Sequence, residues 1–176
     1  HAYRPSKHSL SQSQILLRNY TADEARLPMR EMVESLVLEL LQIKAVTKCI
    51  HVHIGYAAED LKSTGGSRTL AHYTDSFQEL CPAVLALFDK NKRPHELIRR
   101  IAVSFEDLVN KAAVPTEMDL FSNALTDIAE QEEHIQKTML NIKGRFGKNA
   151  ILRASSLQEE GTMQFRNTLV GGHNGE

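Results

Sequence analysis

The sequence predicts an α+β fold: a β-α-β-β-α-β module whose mostly antiparallel sheet carries two helices on one face, followed by a helical C-terminal extension. Three observations predict it. From His95 to Phe121, HELIRRIAVSFEDLVNKAAVPTEMDLF, the first half alternates. Leu97, Arg99, Ile101, Val103 and Phe105 fall to one side, and Ile98, Arg100, Ala102 and Ser104 to the other, the period of a half-buried strand. Cys49 to Tyr56, CIHVHIGY, alternates again, with Ile50, Val52, Ile54 and Tyr56 inward. Two further segments repeat apolar residues at steps of three and four behind a hydroxyl and a carboxylate at capping-box spacing.

In chain order, His8 to Leu17 reads as an edge strand with Ser9, Ser11 and Ser13 on one face. Thr21 and Glu24 cap a helix over about 22–45, whose stripe is Met29, Met32, Val33, Leu36, Leu40 and Ile43, with a bend or restart expected at Pro28. The strand at 49–56 is followed by turn chemistry over 57–66 and a second strand at 67–73, making a hairpin. Ser76 and Glu79 begin a helix carrying Phe77, Leu80, Cys81, Val84, Leu85 and Phe88, and Pro94 turns the chain into the alternating strand. Beyond Pro115, a helix over about 123–143 places Leu125, Ile128, Ile135, Met139 and Ile142 on one stripe, ended by Gly144 and Gly147. The segment after Gly147 has no regular period. The expected organisation is therefore 1–114 as a domain, 115–122 as a linker peptide and 123–176 as an extension.

Length allows one ordinary domain plus an extension, and the formal net charge of -1 excludes a chain coated in positive charge, so any nucleic-acid surface must be one local face. No apolar run approaches the ~20 residues of a membrane span. The chain begins at His1 without Met and without a signal-like apolar core, and reads as a fragment or processed piece. Cys49 and Cys81 make no disulfide framework, which fits a reducing cytoplasm.

Two helices on one side leave the other side of the sheet bare. Its expected residues are Ser11, Ser13, His51, His53, Gly55, Ser67, Thr69, Arg100, Ala102 and Ser104, all small or polar and none a carboxylate. Such a face suits a polyanion. Cys49, His51 and His53, with His72, form a conceivable zinc set by residue type, although no paired knuckle accompanies them. Glu130, Glu132, Glu133 and His134 read as a solvated helix face, and GRFGK fails the spacing of a phosphate loop. No nucleophile–base set or paired carboxylates stand out, so no catalytic machinery is expected in this stretch.

The series SKHSLSQSQILLRNYT, CIHVHIGY, GGSRTLAHYT and ELIRRIAVSFEDL resembles the little-finger domain of Y-family translesion DNA polymerases. EMDLF resembles the sliding-clamp-binding motif that follows that domain, and RFGKNAILRASSL with TLVGGH resembles the Gram-positive UmuC/ImpB/MucB-like branch. The resemblance implies a sheet that holds primer–template DNA, through His8, Ser9, Ser11, Gln12, Ser67, Arg68, Thr69, Arg100 and Ser104, while an upstream palm catalyses. Alternation alone places Arg68 with Leu70 toward the helices. The resemblance also implies that Glu117, Met118, Asp119, Leu120 and Phe121 bind the sliding clamp, with Glu117 departing from the usual Gln. No cofactor is expected here, Mg belonging to the parent polymerase. The expected setting is the bacterial cytoplasm and nucleoid, without a membrane. In the tail, Arg145, Lys148, Arg153 and Arg166 are expected to extend DNA contact or to meet a regulatory partner. The alternatives are a stand-alone module binding protein or RNA, disfavoured for RNA by the absence of aromatic residues on the bare face, and a metal site at Cys49, His51 and His53.

Overall fold

The computed structural model describes residues 8–115, 123–170 and 173–174. Its elements are β1 (Ser9–Tyr20), α1 (Ala22–Gln42), β2 (Ala45–Tyr56), β3 (Thr64–Thr74), α2 (Phe77–Asn91), β4 (Ile98–Glu106), a two-residue β5 (Val109–Asn110) and α3 (Asn123–Phe146). A short α4 (Met163–Arg166) and the ladder of β6 (Leu169–Val170) with β7 (His173–Asn174) follow. The main sheet runs β1-β4-β2-β3 with every pair antiparallel, and β5 adds to β2. Each helix thus carries the chain over one intervening strand, α1 over β4 and α2 over β2, and both pack on the same side. The core lies between: Ile50, Val52, Ile54, Ile98, Ile101, Val103 and Phe105 from the strands meet Met29, Met32, Val33, Leu36 and Leu40 of α1 and Leu80, Val84 and Phe88 of α2.

Local chemistry fixes the ends. The Thr21 hydroxyl accepts the Glu24 N–H at 3.3 Å while the Glu24 carboxylate accepts the Thr21 N–H at 2.8 Å, a complete capping box. Arg18 reaches the same carboxylate at 2.9 Å, and its hydrogen bond, with that of the Thr21 backbone, holds Glu24 down to about 2. Ser76 caps α2 by accepting the Glu79 N–H at 3.3 Å, but the Glu79 carboxylate turns instead to His72 at 2.7 Å.

Several expectations are corrected. α1 runs through Pro28 without a restart, and Pro28 itself is buried. β3 starts at Thr64 rather than Ser67, because Gly65 and Gly66 pair with His53 and Val52. A Cβ on Gly65 would lie 2.3 Å from the Val52 carbonyl oxygen, so glycine here permits close strand approach rather than a turn. In β4 the sides are exchanged at the start: Ile98 is buried while Leu97 and Arg99 are exposed. The cause is a bulge, since Gly55 opposes Arg100 while Tyr56 opposes Ile98, leaving Arg99 extra.

The stripe expected on α3 docks only in part: Met139 is buried, but its fellow members Ile128 and Ile135 are not. Ile128 and Ile135 are each 57% exposed, and Leu125 lies in the first turn, whose side chains are outside the described set. The docked line is Glu132, Gln136, Met139 and Lys143, the same period on a neighbouring face. Glu132 accepts from the Ser76 hydroxyl at 2.7 Å and the Gln78 N–H at 3.1 Å, and Glu133 pairs with Lys111 at 3.4 Å. These two glutamates are the helix's anchors, not a solvated face. Gly147, at φ 97, closes α3 by donating its N–H to the Lys143 carbonyl.

The tail has structure that its sequence conceals. It crosses the outer side of α1, so that this helix is buried on two sides and Glu31 and Glu34 are enclosed. Glu31 accepts both the N–H (2.8 Å) and the hydroxyl (3.0 Å) of Thr162, which also bonds Gln14. Glu34 accepts from Arg153 at 2.9 Å, with Lys143 at 3.9 Å, and the Arg153 guanidinium stacks on Phe77. Arg166 donates to Gln12, and Tyr20 donates to the Glu160 carbonyl at 3.2 Å. Arg153 and Arg166 therefore point inward, contrary to the expectation that they extend DNA contact.

Candidate nucleic-acid interface

Strand register sorts the uncovered side of the sheet into rows. Ser9, Glu106, Cys49 and Thr69 form one; Ser11, Ser104, His51 and Ser67 the next; Ser13, Ala102, His53 and Gly65 a third. Ile15, Arg100 and Gly55 make the fourth. The order β1, β4, β2, β3 thus brings hydroxyls from three strands and two imidazoles from the fourth onto one surface, and α1, α2 and the tail all lie on its other side. Every residue expected on the bare face is found there.

That face is not wholly free of acid. Glu106 lies within the first row, between Ser9 and Cys49, and Asp107 follows it in a turn at φ 53. Burial and then these two carboxylates hold the Cys49 thiol above its ordinary value, which keeps it protonated and unreactive. The opposite end is basic. The bulge in β4 turns Arg99 as well as Arg100 outward, and Gly55 makes room, since a Cβ there would lie 3.1 Å from the Cβ of Arg100. Arg99, Arg100, His53 and Ile15 line a groove of about 600 Å³ against the loop carrying Glu59 and Ser63. Arg99 escapes simple alternation; the doubled arginine beside an apolar run is the signal that a bulge could have explained.

The residues implied by resemblance separate by geometry. Ser9, Ser11, Ser67 and Thr69 are exposed in the rows, Ser104 is half-buried among them, and Arg100 is exposed at the basic end. His8 is exposed immediately before β1. Gln12 departs from the expectation: it faces α1, where it donates to Glu39 at 3.3 Å and accepts from Arg166. Arg68 opposes the core residue Ile50, which puts it on the helix side of edge strand β3, exposed there as alternation predicts. Glu117, Met118, Asp119, Leu120 and Phe121 lie outside the described residues.

Cys49, His51 and His53 share a face, but adjacent members stand about 7 Å apart by strand geometry. Among the described residues no three His, Cys, Asp or Glu side chains are grouped to hold a metal ion. Nor is any described helix long and apolar enough to cross a membrane.

The uncovered sheet side is thus a row-patterned surface of hydroxyl and basic groups, backed by helices. The family profile described as impB/mucB/samB family C-terminal domain matches residues 7–120, and the chain belongs to that family, the little-finger domain of Y-family polymerases. It is 30% identical over 172 residues to the putative UV-damage repair protein UvrX of Bacillus subtilis, covering 94% of this chain and 38% of UvrX. It is 31% identical over 127 residues to DNA polymerase IV of Bacillus velezensis, covering 70% of this chain and 29% of that protein. The chain thus spans well under half the length of these relatives. Among solved structures it is similar to "Complex of beta-clamp processivity factor and little finger domain of PolIV" (TM-score 0.46, 12% identity, 65% of this chain and 99% of that one). It is also similar to "Post-insertion binary complex of Dbh DNA polymerase" (TM-score 0.48, 15% identity, 60% and 31%).

Proposed function

We propose that this chain is the DNA-gripping, clamp-tethering C-terminal part of an error-prone translesion polymerase, acting in damage bypass in the bacterial cytoplasm. The observation that carries the proposal is the uncovered side of the sheet, with its exposed serines and threonine, two imidazoles and the outward pair Arg99 and Arg100. A polymerase must hold any sequence, so its grip belongs on phosphates, through hydroxyls, backbone and a few cations. Short side chains let the strands approach the duplex closely. The rows contain no Phe, Tyr or Trp on which a base would stack, which favours the backbone as the thing held.

In this reading Glu117–Phe121 tethers the sliding clamp, Leu120 and Phe121 supplying the apolar anchors. Nucleotide addition and its Mg belong to an upstream palm. The test is fluorescence anisotropy with labelled primer–template duplexes of unrelated sequence over a range of salt. The expected result is similar affinity for each duplex and a steep fall with salt. Strong preference for one sequence, or no salt dependence, overturns the grip. Leu120→Ala with Phe121→Ala should abolish clamp pull-down while leaving thermal stability nearly unchanged, and retained pull-down overturns the tether.

A further inference from the structure

The central strand β2 raises two imidazoles at the middle of the bare face. Row neighbours are small on all sides: Ser11, Ser104 and Ser67 beside His51, and Ser13, Ala102 and Gly65 beside His53. A ligand lying flat on these rows passes over both half-buried rings. Among the described residues the Nε2 of His53 has no hydrogen-bond partner and almost no access to water. That nitrogen is enclosed, so a ligand on the face meets the remaining, half-buried part of the ring.

Resting on the DNA-grip reading above, we propose that His51 and His53 are further phosphate-contacting residues and that His53 binds the duplex in its charged form, so that the domain takes up a proton as it binds DNA. The charged and titratable groups around them are few. From β4 come Arg100 and, through the bulge, Arg99 at one end, with Glu106 and then Asp107 at the other. The loop after β2 brings Glu59 to the groove that His53 lines. β1 and β3 contribute Ser9, Ser11, Ser13, Ile15, Thr69, Ser67 and Gly65 to the rows, none of them ionised, and β2 itself adds Cys49.

In the free protein, burial first, then His51 and Arg100, hold His53 below its ordinary value, so it stands neutral near pH 7. A phosphate laid over the pair reverses this balance, because an opposite charge at hydrogen-bond distance favours the imidazolium. A ligand that raises a group's pKa binds more tightly as that group protonates. Affinity should therefore rise as pH falls through the histidine range, whereas the arginines contribute equally throughout.

The experiment is duplex anisotropy with the full 176-residue chain at fixed ionic strength from pH 8.5 to 5.5. Binding should be roughly tenfold tighter at pH 6 than at pH 8. His51→Gln with His53→Gln should flatten the profile, removing the roughly tenfold gain in affinity that the parent shows between pH 8 and pH 6. A flat parental profile, or a slope that survives in the double variant, overturns the proton linkage while leaving the DNA grip standing. Absence of binding at every pH overturns both. Imidazole NMR titration with and without duplex gives a second measure: the His53 pKa should move upward on adding DNA, and an unmoved value overturns the assignment even if the variant misfolds.

Discussion

On one side of β1, Ser9, Ser11 and Ser13 stand exposed above the sheet, while one residue away Gln12 and Gln14 turn to the other side and are bonded to the tail through Arg166 and Thr162. The two regions use similar polar chemistry to opposite ends. Behind the sheet, Glu31 and Glu34 are 2% and 4% exposed, and each has its Oε2 held by a partner at hydrogen-bond distance while its Oε1 has none among the described residues. In front, hydroxyls and cations are left to water. Buried polar groups stabilise a fold only when satisfied, and stranding one is costly. Exposed ones can wait for a partner cheaply. The back of the module is therefore where polar residues build structure, and the front is where they remain available.

Substitutions can break or sharpen this contrast. The largest effect should come from the layer both regions share: Phe105→Ala, at a fully buried site, should cost about 3–5 kcal/mol in urea denaturation. Next comes the back. Thr162→Val removes the hydroxyl from Glu31 and Gln14, leaving Glu31 only the backbone N–H, and should cost about 1–3 kcal/mol while leaving duplex affinity unchanged. Loss of DNA binding at full stability would contradict the division. On the front, Arg99→Ala with Arg100→Ala should change stability by less than about 0.5 kcal/mol. The same pair should weaken binding evenly across sequences and lower the salt slope by roughly two. The smallest effect concerns Glu24, whose pKa is lowered from 4.5 to about 2 in the folded chain. Its stabilising contribution is complete above pH 4.5 and is lost as pH falls toward 2, so Glu24→Gln should flatten the stability–pH curve in that window.

Alternation made the platform legible because a strand with one covered face must repeat every second residue, and Ile50, Val52 and Ile54 do so without interruption. It failed at Arg99, where one inserted residue resets the count and only the partner strand reveals it. The stripe on α3 misled for another reason. Ile128 and Ile135 satisfy the helical period, yet of that stripe only Met139 docks, beside Glu132 and Gln136, and the Glu132 partner Ser76 is distant in sequence. The tail was illegible because its order comes from α1: Thr162, Arg153 and Arg166 acquire meaning only beside Glu31, Glu34 and Gln12. Glu106 fell one position beyond the residues assigned to the bare face, and pairing with Ser9 and Cys49 places it there.

The strict inside–outside parity of β1 has a consequence for how this domain can change over generations. Deleting or inserting a single codon between Ser9 and Gln14 would turn the serines toward α1 and the glutamines toward solvent, undoing both surfaces at once. Substitutions there are separable and often mild, whereas frame within the strand is all-or-nothing. Length variation among descendants should therefore accumulate in the segment from Ala57 to Ser63, where an extra residue shifts no pairing.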